Sequence, residues 1–330
     1  MQTCNIAILG AGHIAEKMAR TLQQMPQVRM YAVASRSIDK ARAFAAQWGF
    51  AKAYGSYAEM LADADVHLVY VATPHAMHHG HMRQCVMAGK AVLCEKSFTC
   101  NAAEAADVLR LAEQRKVLVA EAIWTRYMPL MHTLAGLVRS GAIGRPCTLS
   151  ANLCYPVSHK QRIQSPGLGG GALLDLGVYT LNFAAMLFGT QIERVDTSCQ
   201  LTPTGMDAQH SITLWYGDGR MAQLFSSIYA RSDRQGIVSG TDGHIIVENI
   251  NNPSSLRVVD NQYQVVRTID APRQVTGFEY EVQACIDALQ AHRTEVPQMP
   301  HAETLRIMQL MDGLRRQWGV RFPNDEKMEV

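Results

Sequence analysis

The first third of the chain alternates two textures of apolar and polar positions. Short, almost continuous apolar runs stand at residues 5–9, 29–34, 67–72, 91–94 and 117–120. Runs of that length, rich in β-branched residues, are what strands buried on both faces require. Helical patterns lie between them, and Ser56 with Glu59 and Asn101 with Glu104 have the spacing of capping boxes at helix starts. Strand, helix and strand in repetition predict a parallel, doubly wound α/β sheet over residues 1–121.

After about residue 121 the texture changes. A helical stretch at 129–140 ends at Gly141, and longer strand patterns follow at 148–155, 192–201, 210–216, 221–228, 244–249 and 256–269. Gly217-Asp218-Gly219 and Thr241-Asp242-Gly243 are turn signals between them. Helices are expected at 172–187, 278–291 and 302–318. Residues 122–330 therefore read as a second, α+β domain: a large open, mostly antiparallel sheet with helices on one face. Its other face needs cover, which a second copy of the chain supplies most simply, so a homodimer through this sheet is expected.

Composition narrows the class. At 330 residues the chain is long enough for two domains, and 48% hydrophobic with 18% charged residues is a globular balance. A net charge of +2 gives no electrostatic reason to expect nucleic acid or an anionic membrane as partner. No apolar stretch reads as approaching the ~20 residues of a bilayer span. Met1-Gln2-Thr3-Cys4 offers neither a basic leader region nor a cleavage site, and the eight cysteines form no C-x-x-C pair. Reduced thiols in a cytoplasmic protein are the expectation.

Gly10-Ala11-Gly12-His13-Ile14-Ala15 falls between the first strand and first helix. Gly10 serves a tight turn, Gly12 lets a pyrophosphate approach the backbone, and Ala15 permits close helix–strand packing. The N–H groups of His13 and Ile14 open a helix whose positive end faces the phosphates. This is the dinucleotide fingerprint of a Rossmann domain. At the end of the second strand, where NAD-specific sites place Asp or Glu, the chain has Ser35-Arg36-Ser37 and then Lys40. Hydroxyls and cations there suit a 2′-phosphate, so NADP is expected, with NAD as the alternative because Asp39 stands nearby.

Thr73-Pro74 and Glu95-Lys96 lie just past the carboxyl ends of two predicted strands, the edge where such sheets bind ligands. His75 and His78 follow directly and are expected to meet cofactor and substrate. Neither they nor His79 and His81 come with carboxylates or thiolates at ligand spacing, so no metal is expected. In the second domain, Gly169-Gly170-Gly171 leads into Asp175 and Tyr179, four apart on an otherwise apolar helix. Oxidising a secondary alcohol needs a base for the hydroxyl proton. Tyr179, with an ordinary pKa near ~10, can serve if Lys96 favours its phenolate. Asp175 either orients the substrate hydroxyl or holds Lys96 charged; a structural Asp–Tyr hydrogen bond is the bland alternative.

With these motifs in place the chain resembles, over nearly its whole length, the glucose–fructose oxidoreductase / inositol dehydrogenase (Gfo/Idh/MocA) family. Gly10-Ala11-Gly12, Thr73-Pro74 with His78, 89–96 ending in Glu95-Lys96, and 168–179 ending in Tyr179 carry the resemblance. The stretch 121–127, with Trp124 and Arg126, is similar to the dimeric dihydrodiol and NADP-dependent xylose dehydrogenases. The resemblance implies Lys96, Asp175 and Tyr179 as the catalytic set, with Trp124, Arg126 and Arg162 near cofactor or substrate. It implies hydride transfer between NADP(H) and a sugar, cyclic polyol or trans-dihydrodiol. A nicotinamide-dependent glycosidase and a non-catalytic NADP-binding sensor are the competing classes. Ser97 stands where the family carries proline, and a cis bond before a non-proline residue costs ~2.5–4 kcal/mol. A trans Lys96–Ser97 bond is therefore expected.

Overall fold

A computed structural model describes residues 3–326; Met1 and Gln2, on which part of the N-terminal reading rests, lie outside the described residues. The chain divides into two units, Met1–Trp124 with Gln274–Leu305, and Thr125–Arg273 with Arg306–Val330.

The first unit runs β1 (Cys4–Leu9), α1 (His13–Leu22), β2 (Val28–Ala34), α2 (Ile38–Trp48), β3 (Lys52–Tyr54), α3 (Tyr57–Ala62), β4 (Leu68–Val71), α4 (His75–Met87), β5 (Ala91–Glu95), α5 (Ala102–Arg115) and β6 (Val119–Ala122). All six strands are parallel, in the order β3-β2-β1-β4-β5-β6. Strand order reverses between β1 and β4, so the crevice past their carboxyl ends is the binding edge. Both capping signals are real: Ser56 Oγ accepts the Glu59 N–H at 3.2 Å, and Asn101 Oδ1 accepts that of Glu104 at 2.9 Å. Glu104 answers by accepting the Cys100 N–H, which closes the second box. The three-residue β3 was not foreseen, because a short, polar edge strand leaves no apolar run.

Segment 274–305 returns to this unit. Phe278 stacks on Trp124 with centroids 4.4 Å apart and rings 9° from parallel. The Val119 N–H donates to the Thr294 carbonyl at 3.0 Å, and Thr304 Oγ1 donates to Glu121 at 3.0 Å. The expected division at 121/122 differs from the observed units by this returning stretch. Nothing local marks it, since an amphipathic helix reads the same whichever core receives it.

The second unit continues with α6 (Pro129–Arg139), β7 (Pro146–Cys154), α7 (Gln161–Gln164), a π-helical turn (Leu173–Gly177), α8 (Val178–Phe188), β8 (Ile192–Leu201), β9 (Asp207–Tyr216), β10 (Met221–Ser227), β11 (Gly236–Gly240), β12 (Gly243–Val247), β13 (Ser255–Asp260) and β14 (Val265–Asp270). After α9 (Glu279–Gln290) come α10 (His301–Trp318) and α11 (Pro323–Glu326). Eight strands pair in the order β14-β13-β12-β11-β7-β10-β9-β8, antiparallel except where β7 meets β10. The predicted strand at 256–269 is a hairpin, β13–β14, turned through Tyr263 at φ +60°. Its valines on both arms hid the turn. Segment Pro166–Phe188 corrects the membrane reading: it is apolar and long enough to span a bilayer by composition, yet 83% of its most apolar window is buried in the protein. It is the core helix of this unit.

Candidate active site

In the first unit the glycine motif has the form its sequence predicts. Gly10 takes φ +102°, and a Cβ there would meet the Ala72 carbonyl at 3.0 Å and Thr73 Cγ2 at 3.1 Å. Above Gly12 a Cβ would find nothing within 4 Å, and this N-cap gives no side chain to the N–H groups of α1. Open space over bare amides at a helix start fits a pyrophosphate. His13 is exposed and pairs with Glu16 at 3.4 Å. Ile14, part-buried, and the fully buried Ala15 set the helix against the sheet.

At the end of β2, Ser35 is buried while Arg36 and Lys40 are exposed. Ser37 is the N-cap of α2, its Oγ accepting the Lys40 N–H at 3.4 Å. Thus one of the two hydroxyls is committed to the helix, leaving Ser35, Arg36 and Lys40 as the 2′-phosphate candidates. Tyr57 and His81 lie within the field of Arg36, and they pack edge to face with centroids 4.9 Å apart. Burial, then His78 and Arg36, lower the His81 pKa to about 4.

Thr73 and Pro74 sit past β4 as expected, and the two histidines after them bond to backbone carbonyls. His78 is fully buried, its Nε2 2.7 Å from the Thr73 carbonyl and its Nδ1 2.9 Å from the Ser97 carbonyl. Burial lowers its pKa against the pull of those carbonyls. His75 is 8% exposed, with Nε2 3.1 Å from the Lys96 carbonyl. The two imidazoles tie the Thr73 and Lys96 loops together. The Lys96–Ser97 peptide is cis, not trans as the residue types suggested. His75 meets the carbonyl of this peptide, that of Lys96, and His78 meets the next one, that of Ser97.

Glu95 also turns away from the binding edge. It is 6% exposed, accepts the Tyr70 hydroxyl on Oε1, and accepts the Lys96 N–H on Oε2 at 3.2 Å. Trp124 is buried under Phe278. Both side chains thus help to hold the loop ends in place.

In the second unit Asp175 lies in the π turn and Tyr179 in the first turn of α8; they are 7% and 8% exposed. The regular helix expected over both is thus wider at Asp175, a device found often at functional sites. Arg162, on α7, pairs with Asp175 through Nη1–Oδ1 at 2.9 Å and Nη2–Oδ2 at 3.3 Å. Arg126 is buried and donates from Nε to Asn182 Oδ1 at 2.9 Å, while Asn182 donates to the Val178 carbonyl. Through Asn182 it braces the helix bearing Tyr179. Sequence reasoning missed Asn182, His81 and two residues of β9, Asp207 and His210, because each acts through a fold contact distant in sequence. A groove of about 560 Å³ on the sheet, lined by Ser198, Gln200, Gln209, Ser211, Phe225 and Arg231 among others, touches none of Arg126, Arg162, Asp175 or Tyr179.

Fold and fingerprint together define a nicotinamide-dinucleotide-dependent oxidoreductase. Residues 4–123 match the oxidoreductase family with an NAD-binding Rossmann fold, GFO/IDH/MocA, and residues 131–246 match the GFO/IDH/MocA C-terminal domain. The chain belongs to this family. Trans-1,2-dihydrobenzene-1,2-diol dehydrogenase of Mus musculus is 32% identical over 97% of this chain and 98% of its own length; the Homo sapiens enzyme is 30% identical over the same shares. Among solved structures, the 3-ketoreductase KijD10 of Actinomadura kijaniata, in complex with NADP and TDP-benzene, superposes with a TM-score of 0.87 at 23% identity. It covers 96% of this chain and 98% of that one. Levoglucosan dehydrogenase, in complex with NADH and levoglucosan, gives 0.86 at 18% identity, covering 96% and 98%.

Proposed function

We propose that this oxidoreductase uses NADP(H) in preference to NAD(H), and that it acts on a secondary alcohol or carbonyl of a sugar, cyclic polyol or trans-dihydrodiol. The observation that carries this reading is a carboxylate held at two points by Arg162, in a π turn that leads directly to Tyr179. Buried, glycine-framed and polar, that turn is built to meet hydroxyl groups. The names of the relatives, a diol dehydrogenase, a 3-ketoreductase and a sugar dehydrogenase, span the same chemistry.

A nicotinamide dinucleotide, with its pyrophosphate over Gly10 and Gly12, would supply the hydride acceptor or donor. In the oxidative direction Tyr179 takes the proton from the reacting hydroxyl at its phenolic oxygen and returns it in reduction. Lys96 is the third member of the set that the family resemblance implies. Asp175, fixed in plane by Arg162, accepts a hydrogen bond from the substrate and orients it. The low exposure of Tyr179 and Asp175 limits competing water. Homodimerisation through the open sheet face is part of the reading, supported by Phe225 at 48% exposure beside the groove. A cytoplasmic location is supported by eight free cysteines.

A panel of aldoses, cyclitols and trans-diols, each with NADP and with NAD, tests the proposal by cofactor reduction. Tyr179→Phe on the best substrate should lower turnover by ~10²–10⁴-fold. Unchanged turnover in that variant, or glycoside cleavage without net cofactor reduction, would sink it.

A further inference from the structure

The approach to Asp175 is shaped by two residues of β9 to which the chemistry above assigns nothing. Asp207 and His210 are three apart along the strand, yet both are buried, with exposures of 1% and 5%. Asp207 Oδ2 accepts the N–H of Leu173, the first residue of the π turn, at 2.6 Å. The same oxygen lies 3.3 Å from His210 Nδ1. A carboxylate accepts, so Nδ1 carries the proton. His210 Nε2 then keeps its lone pair, buried and without a hydrogen-bond partner among the described residues. The ring stacks on Trp318, with centroids 5.0 Å apart and planes 19° from parallel.

Both ends of the turn are moulded to this pair. At Gly171, φ +98°, a Cβ would lie 2.1 Å from Asp207 Oδ1. At Gly177 it would lie 2.9 Å from His210 Nε2 and 3.1 Å from Cε1. Asp175 sits midway between the N–H that Asp207 holds and the glycine against which the imidazole rests. A π turn carries one residue more than the helix around it, and where that residue is absorbed sets the direction of the side chains.

We propose that Asp207 and His210 are positioning residues: they hold Leu173–Gly177 in its π form and thereby aim Asp175 and Tyr179. This rests on the catalytic reading of those two residues. The carboxylate anchors the start of the turn, and the imidazole orients that carboxylate while its edge bars any side chain at 177. Gly177 is required by the imidazole beside it, and Gly171 both by its φ of +98° and by the Asp207 carboxylate.

The test compares kcat, KM, NADPH affinity and Tm for Asp207→Ala, Asp207→Asn, His210→Phe, Gly177→Ala, Gly177→Ala/His210→Ala and Asp175→Asn, using the best alcohol found. Misplacing a reacting group by about 1 Å costs on the order of 10²-fold, so Asp207→Ala should lose ~10–100-fold in kcat, with NADPH affinity within about two-fold. Asp207→Asn should regain most of that loss, because its amide oxygen still accepts the Leu173 N–H. His210→Phe keeps the stacked ring but loses the bond to Asp207, and should lose about ten-fold. In the double variant the smaller residue 210 should give back part of the loss caused by Gly177→Ala. Wild-type kcat in Asp207→Ala, or in Asp207→Asn and His210→Phe together should the alanine variant not fold, overturns the proposal. Purely additive effects of 177 and 210, or losses that follow Tm alone with no rescue by asparagine, also overturn it. Full turnover in Asp175→Asn would overturn the underlying reading and this proposal together; loss there beside an intact Asp207→Ala would overturn the proposal alone.

Discussion

Arg162 grips Asp175 by both nitrogens of its fork, at 2.9 and 3.3 Å, although its own side chain is 44% exposed and that of Asp175 only 10%. A one-point ion pair would leave the carboxylate free to rotate; two points fix its plane. Arg162→Lys keeps the charge but not the fork, and should lower kcat/KM by about ten-fold. Arg162→Ala should lower it by on the order of 10²-fold, since the buried carboxylate then loses its two-point hold and the charge that came with it. Steady-state kinetics on the best alcohol decide this, and wild-type values for Arg162→Ala would show the pair to be ornamental.

Cofactor preference should reside at the end of β2. Charge-assisted bonds to a 2′-phosphate contribute ~1.5–3 kcal/mol each, a factor of ~10–100 in affinity. Arg36→Ala should therefore weaken NADP(H) by about that factor and leave NAD(H) within about two-fold. Fluorescence titration of both reduced cofactors measures it. Equal weakening of the two would place Arg36 on the shared part of the dinucleotide.

Glu281, on α9, is fully buried, and neither carboxyl oxygen has a hydrogen-bond partner among the described residues. Burial first, then the charges of Glu95 and Glu279, push its pKa well above the carboxylate range. The unfolded chain ionises near ~4.3, so stability falls as pH rises above that value toward the folded pKa. Glu281→Gln removes the ionisation and should gain ~1–3 kcal/mol over wild type at neutral pH, with little gain near pH ~4. Urea unfolding at both pH values is the measurement; a pH-independent difference would contradict it.

His81 shifts in the opposite sense. With its folded pKa at about 4 and an unfolded value near ~6.5, the unfolded chain takes up a proton first as pH falls. Its contribution is intact above ~6.5 and is lost progressively down to about 4. The loss is at most on the order of 2–3 kcal/mol, since the ring is only part-buried. His81→Gln should flatten that limb of the stability profile relative to wild type, and parallel acid limbs in the two proteins would refute the assignment.

What the sequence made legible was what local chemistry dictates. The tight turn at Gly10 and the caps at Ser56 and Asn101 each depend on neighbours within a few residues, and each has the predicted form. Contacts with partners distant in sequence were not legible in this way. His78 looks available after β4 until the Ser97 carbonyl is seen on its far side. The bond from the Tyr70 hydroxyl to Glu95 likewise joins residues 25 apart and leaves no local signal. Periodicity also cannot separate a π turn from an α-helix over five residues, so the true setting of Asp175 was beyond its reach.

The return of segment 274–305 bears on the order of synthesis. When residue 124 leaves the ribosome all six strands of the first sheet exist, but Trp124 has no Phe278 to lie against. The Val119 N–H still lacks Thr294, and Glu121 still lacks Thr304. At ~5–20 residues per second, the remaining stretch takes on the order of ten seconds or more to appear. Through that interval the nascent dinucleotide-binding half has an unfinished edge at β6. Its last strand is sealed only when nearly the whole polypeptide has been made, so a fragment stopped at residue 273 would be a poor way to produce this half alone.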